Sequence, residues 1–196
     1  YYGQTYEKLG ISKDSFYRAE YLFAAKYNAL FDAIYGIGGE KAVSDDEIKA
    51  YFIENYTNYA YLPMNLYTTT DSESDDASST DSTSVAFSEE EVKQATDDFN
   101  AYAQQINNGS KTYDEIAQAY TTAAGLEEDP SVTNTEILED SSLGDELKEA
   151  LEGLDANQAT VIQVGEDSTA VLYLVYKGDI NKEAENVFEE SQRSSV

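Results

Sequence analysis

The sequence predicts an α+β chain built in two parts: a helical segment over residues 1–59, then a small β-α-α-α-β-β unit over 60–179, closed by a helix in 180–196. Three observations predict it. Phe16, Ala19, Phe23, Tyr27, Leu30 and Ile34 step by three or four, the period of one helix face. Ser44 with Glu47, Ser88 with Glu91 and Thr112 with Glu115 form three Ser/Thr-x-x-Glu signatures. Each such pair can satisfy two of the backbone N–H groups that a helix start leaves open, so helices should begin at 45, 89 and 113. Finally, residues 169–177 are a near-continuous β-branched and aromatic run, and turn residues 165–168 separate them from a second such run at 160–164. That pattern reads as an antiparallel hairpin.

In chain order, Ser12 can cap the first long helix, and Gly36-Ile-Gly-Gly39 should stop it. Val43 with Ile48, and Phe87 with Val92, occupy the positions of a hydrophobic staple around the next two helix starts. Residues 60–67 read as a strand. The tract 68–86 is acidic, rich in Ser and Thr and has no apolar face, and no Lys or Arg relieves its charge between Lys49 and Lys93. It is expected to be a flexible insertion. The helix from 89 carries Val92, Phe99, Tyr102 and Ile106 on one side and should end at Asn107-Asn-Gly109; the next runs from 113 to about 124. Leu143, Leu147 and Leu151 mark a short helix near 143–152, and Ala184, Val187 and Phe188 lie on one face of a closing helix over 181–192, which is expected to pack back on the helical segment 1–59.

Composition narrows the chemistry. Twelve Lys and Arg face 39 Asp and Glu, a formal charge of −27, which argues against nucleic acid and anionic membrane as direct partners because phosphate recognition needs clustered cations. His and Cys are both absent, which removes His-dependent nucleophilic catalysis, His/Cys zinc sites and disulfides. Asp71, Glu73, Asp75 and Asp76 lack the glycine and closing glutamate of a calcium loop, and Glu89-Glu-Glu91 fits the first turn of a helix, where the dipole favours acids. Neither a metal nor a cofactor is expected. No apolar run is long enough to span a bilayer, and a Cys-free acidic chain beginning at Tyr1 fits an extracytoplasmic protein from which a leading segment has been removed. Twelve of the 17 tyrosines fall in the first 67 residues. They suit either a helical bundle with half-buried Tyr or an amphipathic surface for extended polypeptide.

Several segments resemble one family. Val43-Ser-Asp-Asp-Glu-Ile-Lys-Ala-Tyr-Phe-Ile-Glu-Asn-Tyr56 resembles the helix leading into the parvulin domain of PrsA- and SurA-type extracytoplasmic foldases. Leu9-Gly-Ile-Ser12 and the long aromatic helix after it look like the helical chaperone domain of the same proteins. Asn108-Gly-Ser-Lys-Thr-Tyr-Asp-Glu-Ile-Ala-Gln-Ala-Tyr-Thr121 is similar to a parvulin segment, and residues 147–161 and 169–177 resemble that domain's later helix and its last strand.

The resemblance implies a foldase that binds unfolded or proline-containing polypeptide clients and sits, lipid-anchored, on the outer face of a bacterial membrane. It also implies a binding site lined by Met64, Leu66 and Tyr173, and a client cradle including Tyr17, Tyr21 and Phe31. Where parvulins carry a His in the first strand and another in the last, this chain places Met64 and Tyr173, the latter with a possible slip of one residue. The family's Gly-Gly-Asp-Leu-Gly loop is replaced by residues 133–144. Loss of prolyl isomerase activity is therefore expected. A His-free isomerase and an acidic interaction protein reusing the scaffold are the alternatives. For Met64 and Tyr173 the plainer reading is core packing.

Overall fold

The computed structural model describes residues 4–36, 38–71 and 82–189, and the chain divides into two units, Tyr1–Tyr51 and Phe52–Val196. The division falls earlier than the boundary at 59/60 expected from composition.

In the first unit, α1 (Gln4–Lys8) is followed by α2 (Lys13–Tyr17), a π-helical stretch (Arg18–Leu22) and α3 (Phe23–Tyr35). Ser12 caps α2 as expected: its hydroxyl accepts the Ser15 N–H at 3.1 Å. Gly36 closes α3, its N–H donating to the Asp32 carbonyl at 2.8 Å. The periodic face, however, does not become a core. Phe16 is buried, but Phe23, Tyr27 and Leu30 stay 71%, 59% and 61% exposed, and α3 buries no residue. The π stretch also breaks the 3.6-residue period on which a single continuous face depends. α4 (Asp45–Asn55) starts where the sequence places it, with the Ser44 N–H donating to Glu47 Oε2 at 2.9 Å and the Glu47 N–H returning to the Ser44 hydroxyl at 3.3 Å.

The second unit begins at Phe52, within the last turn of α4, and continues with β1 (Thr57–Asn65), β2 (Tyr67–Asp71) and β3 (Ser82–Ala86), then α5 (Glu89–Asn107) and α6 (Tyr113–Ala123). β4 (Val132–Glu136), α7 (Asp145–Glu152), β5 (Gln158–Val164), β6 (Val171–Lys177) and α8 (Ile180–Glu189) follow. Four strands form one antiparallel sheet in the order β4-β1-β6-β5, so the first and last strands lie side by side at its centre. The expected hairpin is present as β5–β6, with Val164 opposite Val171. It turns on Gly165, whose φ of +80° suits glycine, and a Cβ there would stand 2.7 Å from the Thr169 carbonyl oxygen.

Alternation along the strands gives the sheet two different faces. Ala60, Leu62 and Met64 of β1, with Leu172 and Leu174 of β6, pack under Phe99 and Ile106 of α5 and Ile116 of α6. On the other face Tyr59 and Val175 meet Leu147 and Leu151 of α7. Both α5 and α6 open on complete capping boxes. Hydrogen bonds from the Ser88 hydroxyl and N–H hold the Glu91 carboxyl below the usual carboxylate range.

Three expectations need correction. The tract 68–86 is not wholly an insertion: its two ends pair as β2–β3, from Tyr67 opposite Ala86 to Asp71 opposite Ser82, supported by β-branched residues such as Thr68, Thr69 and Val85. The rest of the tract, 72–81, lies outside the described residues. The replaced loop 133–144 is not all loop, since most of β4 falls within it. β4 carries one large apolar residue, Val132, and is held by β1: Asn58 Nδ2 donates to Thr135 Oγ1 at 2.8 Å and the Tyr59 hydroxyl to Glu136 Oε1 at 2.5 Å. The closing helix belongs with the second unit; α8 packs on β1 and Ala184 is fully buried. Residues 190–192 of its expected span lie outside the described residues. Among the described residues, no helix is long and apolar enough to cross a membrane.

Candidate functional site

The β1–β6 register decides what the two central strands can present. Pro63 stands opposite Tyr173, and Met64 stands opposite Leu172. Directly paired residues share a face, so Met64 and Tyr173 point to opposite sides of the sheet. Met64 joins the packing under α5 and α6. A slip of one residue does not rescue the pairing, because Leu172 and Leu174 are both fully buried. Leu66 is core as well: its N–H donates to the Ala170 carbonyl, its own carbonyl accepts from Phe87, and its side chain borders a shallow depression of about 320 Å³ beside Phe87 and Val92. The expected three-residue site is therefore not assembled; Tyr173 alone faces the other way.

What stands beside Tyr173 is a ledge of tyrosines that the sequence reading did not single out. Tyr59 and Tyr61 stack with centroids 6.4 Å apart, and Tyr61 meets Tyr173 edge-on at 5.8 Å. Ile162 of β5 continues the row, and Leu138 and Leu143 form its wall. Tyr61, Pro63, Ile162 and Tyr173 are half-buried. The parity of β1 could have signalled this, since Tyr59, Tyr61 and Pro63 share one side and Ala60, Leu62 and Met64 the other. Which side meets Tyr173 depends on inter-strand register, which local sequence does not specify.

Burial, reinforced by the Glu136 carboxylate, pushes the Tyr59 hydroxyl up to about 12. Burial, with Tyr61 and Tyr67 nearby, raises that of Tyr173. A phenol whose folded pKa lies above its unfolded value contributes stability that is intact below pH ~10 and is lost as pH rises towards 12. Urea unfolding between pH 9 and the alkaline limit is expected to show this loss, with Tyr59→Phe reducing the slope by at most ~1.4 kcal/mol per pH unit. An unchanged slope would contradict the assignment. Tyr113 is buried behind the opposite face, stacked on Tyr176 at 5.3 Å. Its hydroxyl lies near Ser131 but makes no hydrogen bond among the described residues, and burial raises its pKa further.

The residues expected to cradle a client fall in the first unit and are exposed: Tyr17 at 42%, Tyr21 at 51% and Phe31 at 49%. They belong to two ring clusters. Tyr17 and Tyr21 lie 5.1 Å apart beside Phe16, while Phe31 stands between Tyr27 at 6.4 Å and Tyr35 at 5.0 Å. This aromatic segment is also electrically distinct. Residues 1–39 contain four Lys and Arg and four Asp and Glu, so the whole charge of −27 resides in 40–196. Among the described residues, no group of three or more carboxylates is arranged to hold a metal ion.

No protein-family profile matches this chain, and no curated protein matches it. Among solved structures it is similar to the foldase protein PrsA from Streptococcus pneumoniae str. Canada MDR_19A, at 16% identity and a TM-score of 0.29. The overlap covers 98% of this chain and 63% of that one, so the chain spans less than two thirds of that protein's length. An overlap that loose leaves the site to be read from its own geometry.

Proposed function

We propose that this chain binds non-native or extended polypeptide as an extracytoplasmic, foldase-like chaperone, without imidazole-based prolyl isomerisation. One observation carries the reading: α3 buries none of its residues, and Phe23, Tyr27, Leu30, Phe31 and Tyr35 are 49–71% exposed along it. An apolar surface of this kind marks an interaction site in a protein whose other unit has an ordinary core. Tyrosine and phenylalanine supply large contact area at low entropy cost, and they do so without demanding a particular partner sequence. Local electroneutrality lets the stripe accept clients of either charge, while the −27 carried by residues 40–196 keeps a loaded complex soluble.

The isomerase reading has less to stand on. Twisting a prolyl bond means lowering a barrier of about 18–20 kcal/mol, and the residue at the first histidine position, Met64, is packed under α5 and α6 with only a weak acceptor to offer.

The test is light scattering from a chemically denatured client diluted into buffer. The protein at several-fold excess is expected to suppress aggregation. The variant Phe23→Ser/Tyr27→Ser/Phe31→Ser should lose at least half of that effect, with about 0.5 kcal/mol or less of stability change at each exposed position. No suppression by the wild-type protein overturns the proposal. In a proline-peptide assay the rate should match buffer; a rate above it would favour a His-free isomerase.

A further inference from the structure

The sheet face bearing Tyr61 and Tyr173 is covered unevenly. Leu147 and Leu151 of α7 pack with Tyr59 and Val175 in one cluster, and those two strand residues are fully buried. Beyond them Tyr61, Pro63, Ile162 and Tyr173 remain half-buried, and Val164 and Val171, paired across β5–β6, carry the apolar surface to the end of the strands. The border of this surface is negative. Residues 136–152, which supply the wall leucines and all of α7, hold seven carboxylates and one lysine. Glu139, Asp140, Asp145 and Glu146 are exposed. The lysine, Lys148, directs its Nζ at the carbonyl oxygens of Glu139 and Ser141, at 3.3 and 3.0 Å. The nearest β6 cation, Lys177, donates to the Leu154 carbonyl at 2.9 Å.

We infer that this face docks an extended polypeptide segment in which an apolar or aromatic side chain is flanked by arginine or lysine. The central side chain rests on Tyr61, Tyr173 and Ile162, and the cations meet the carboxylates of the wall. Tyrosine ring faces attract guanidinium and ammonium groups independently of those carboxylates, arginine more readily because its plane can stack. An anionic segment meets repulsion along the whole wall. A second copy of this chain is disfavoured in the same way, since each copy carries −27. The inference rests on the polypeptide-binding reading above but uses a surface separate from α3.

Three fluorescent peptides of equal length, with the same central Leu-Phe pair flanked by arginine, alanine or glutamate, test it by anisotropy. At low ionic strength the arginine peptide is expected to bind roughly tenfold tighter than the glutamate peptide, and the gap should close in molar salt as screening shortens the electrostatic reach. Glu139→Gln/Asp140→Asn, both in an exposed turn, should narrow the gap several-fold with thermal unfolding unchanged. Tyr173→Ser should weaken the arginine peptide at least about fivefold; Tyr173→Phe, which keeps the ring, should restore most of the binding. Equal affinity for the three peptides, or a preference untouched by both sets of variants, overturns the inference. The triple serine variant of α3 separates the two proposals: it should lose at least half of the aggregation suppression and leave the arginine preference intact. Suppression without any peptide preference would overturn this inference and spare the broader function.

Discussion

Phe99→Ala is expected to lower the unfolding free energy by about 3–5 kcal/mol, the range for emptying a buried aromatic site. Phe99 is 1% exposed, in the middle of α5 and above the sheet face that carries Leu62 and Leu174. Its ring meets Tyr120 of α6 edge-on at 5.6 Å and leans on Tyr102 at 6.0 Å, so it joins both helices to the sheet. Small domains have only about 5–15 kcal/mol of stability to lose, so this single change should bring the second unit near its unfolding midpoint. Urea titration should show the midpoint falling with the slope unchanged. Phe23→Ala is the matched control. It removes the same side chain from a site 71% exposed on α3, and should cost about 0.5 kcal/mol or less. A loss below about 1 kcal/mol for Phe99→Ala would mean that the cavity collapses or that α5 does not pack as described.

That contrast between two phenylalanines also shows what a sequence discloses. Helix starts are local: Ser88 and Glu91 are three residues apart, and their reciprocal bonds form wherever the chain turns helical, so the starts at 45, 89 and 113 could be read directly. β5 and β6 were similarly legible, because their composition and the intervening turn lie within one short stretch. β4 was not. Its support comes from Asn58 and Tyr59, 77 residues away, and nothing in Val-Thr-Asn-Thr-Glu announces a strand. The candidate site failed for the same kind of reason. Met64 and Tyr173 are each strand residues of suitable type, but whether they share a face depends on a register that pairs Tyr173 with Pro63. The apolar period over residues 16–34 was real; periodicity reports that a helix is two-sided and says nothing about what covers its apolar side.

The second large effect is expected at Asn107, the last residue of α5. Its side-chain amide reaches 52 residues along the chain to β5, donating from Nδ2 to the Ala159 carbonyl at 2.9 Å and accepting the Ala159 N–H on Oδ1 at 2.7 Å. β5 is an edge strand with β6 on one side, so this amide does at Ala159 what a further strand would do. Ala159 is 4% exposed, and water has little access to replace the lost bonds. Asn107→Ala should therefore cost about 2 kcal/mol, and the Ala159 amide should exchange its hydrogen much faster while the amides of β1 change little. Asn107→Asp discriminates between loss of shape and loss of hydrogen bonding. Its carboxylate can still accept the N–H but faces the Ala159 carbonyl with no proton to donate, so the charged form is disfavoured in the folded state. The Asp variant should be destabilised at neutral pH and regain stability as pH falls through its raised folded pKa, when the neutral acid can donate again. Pairing between copies through an opened β5 edge should appear in the Ala variant as concentration-dependent association. A change within about 0.5 kcal/mol for Asn107→Ala, together with unaltered exchange at Ala159, would show that the edge is held by the β6 ladder alone.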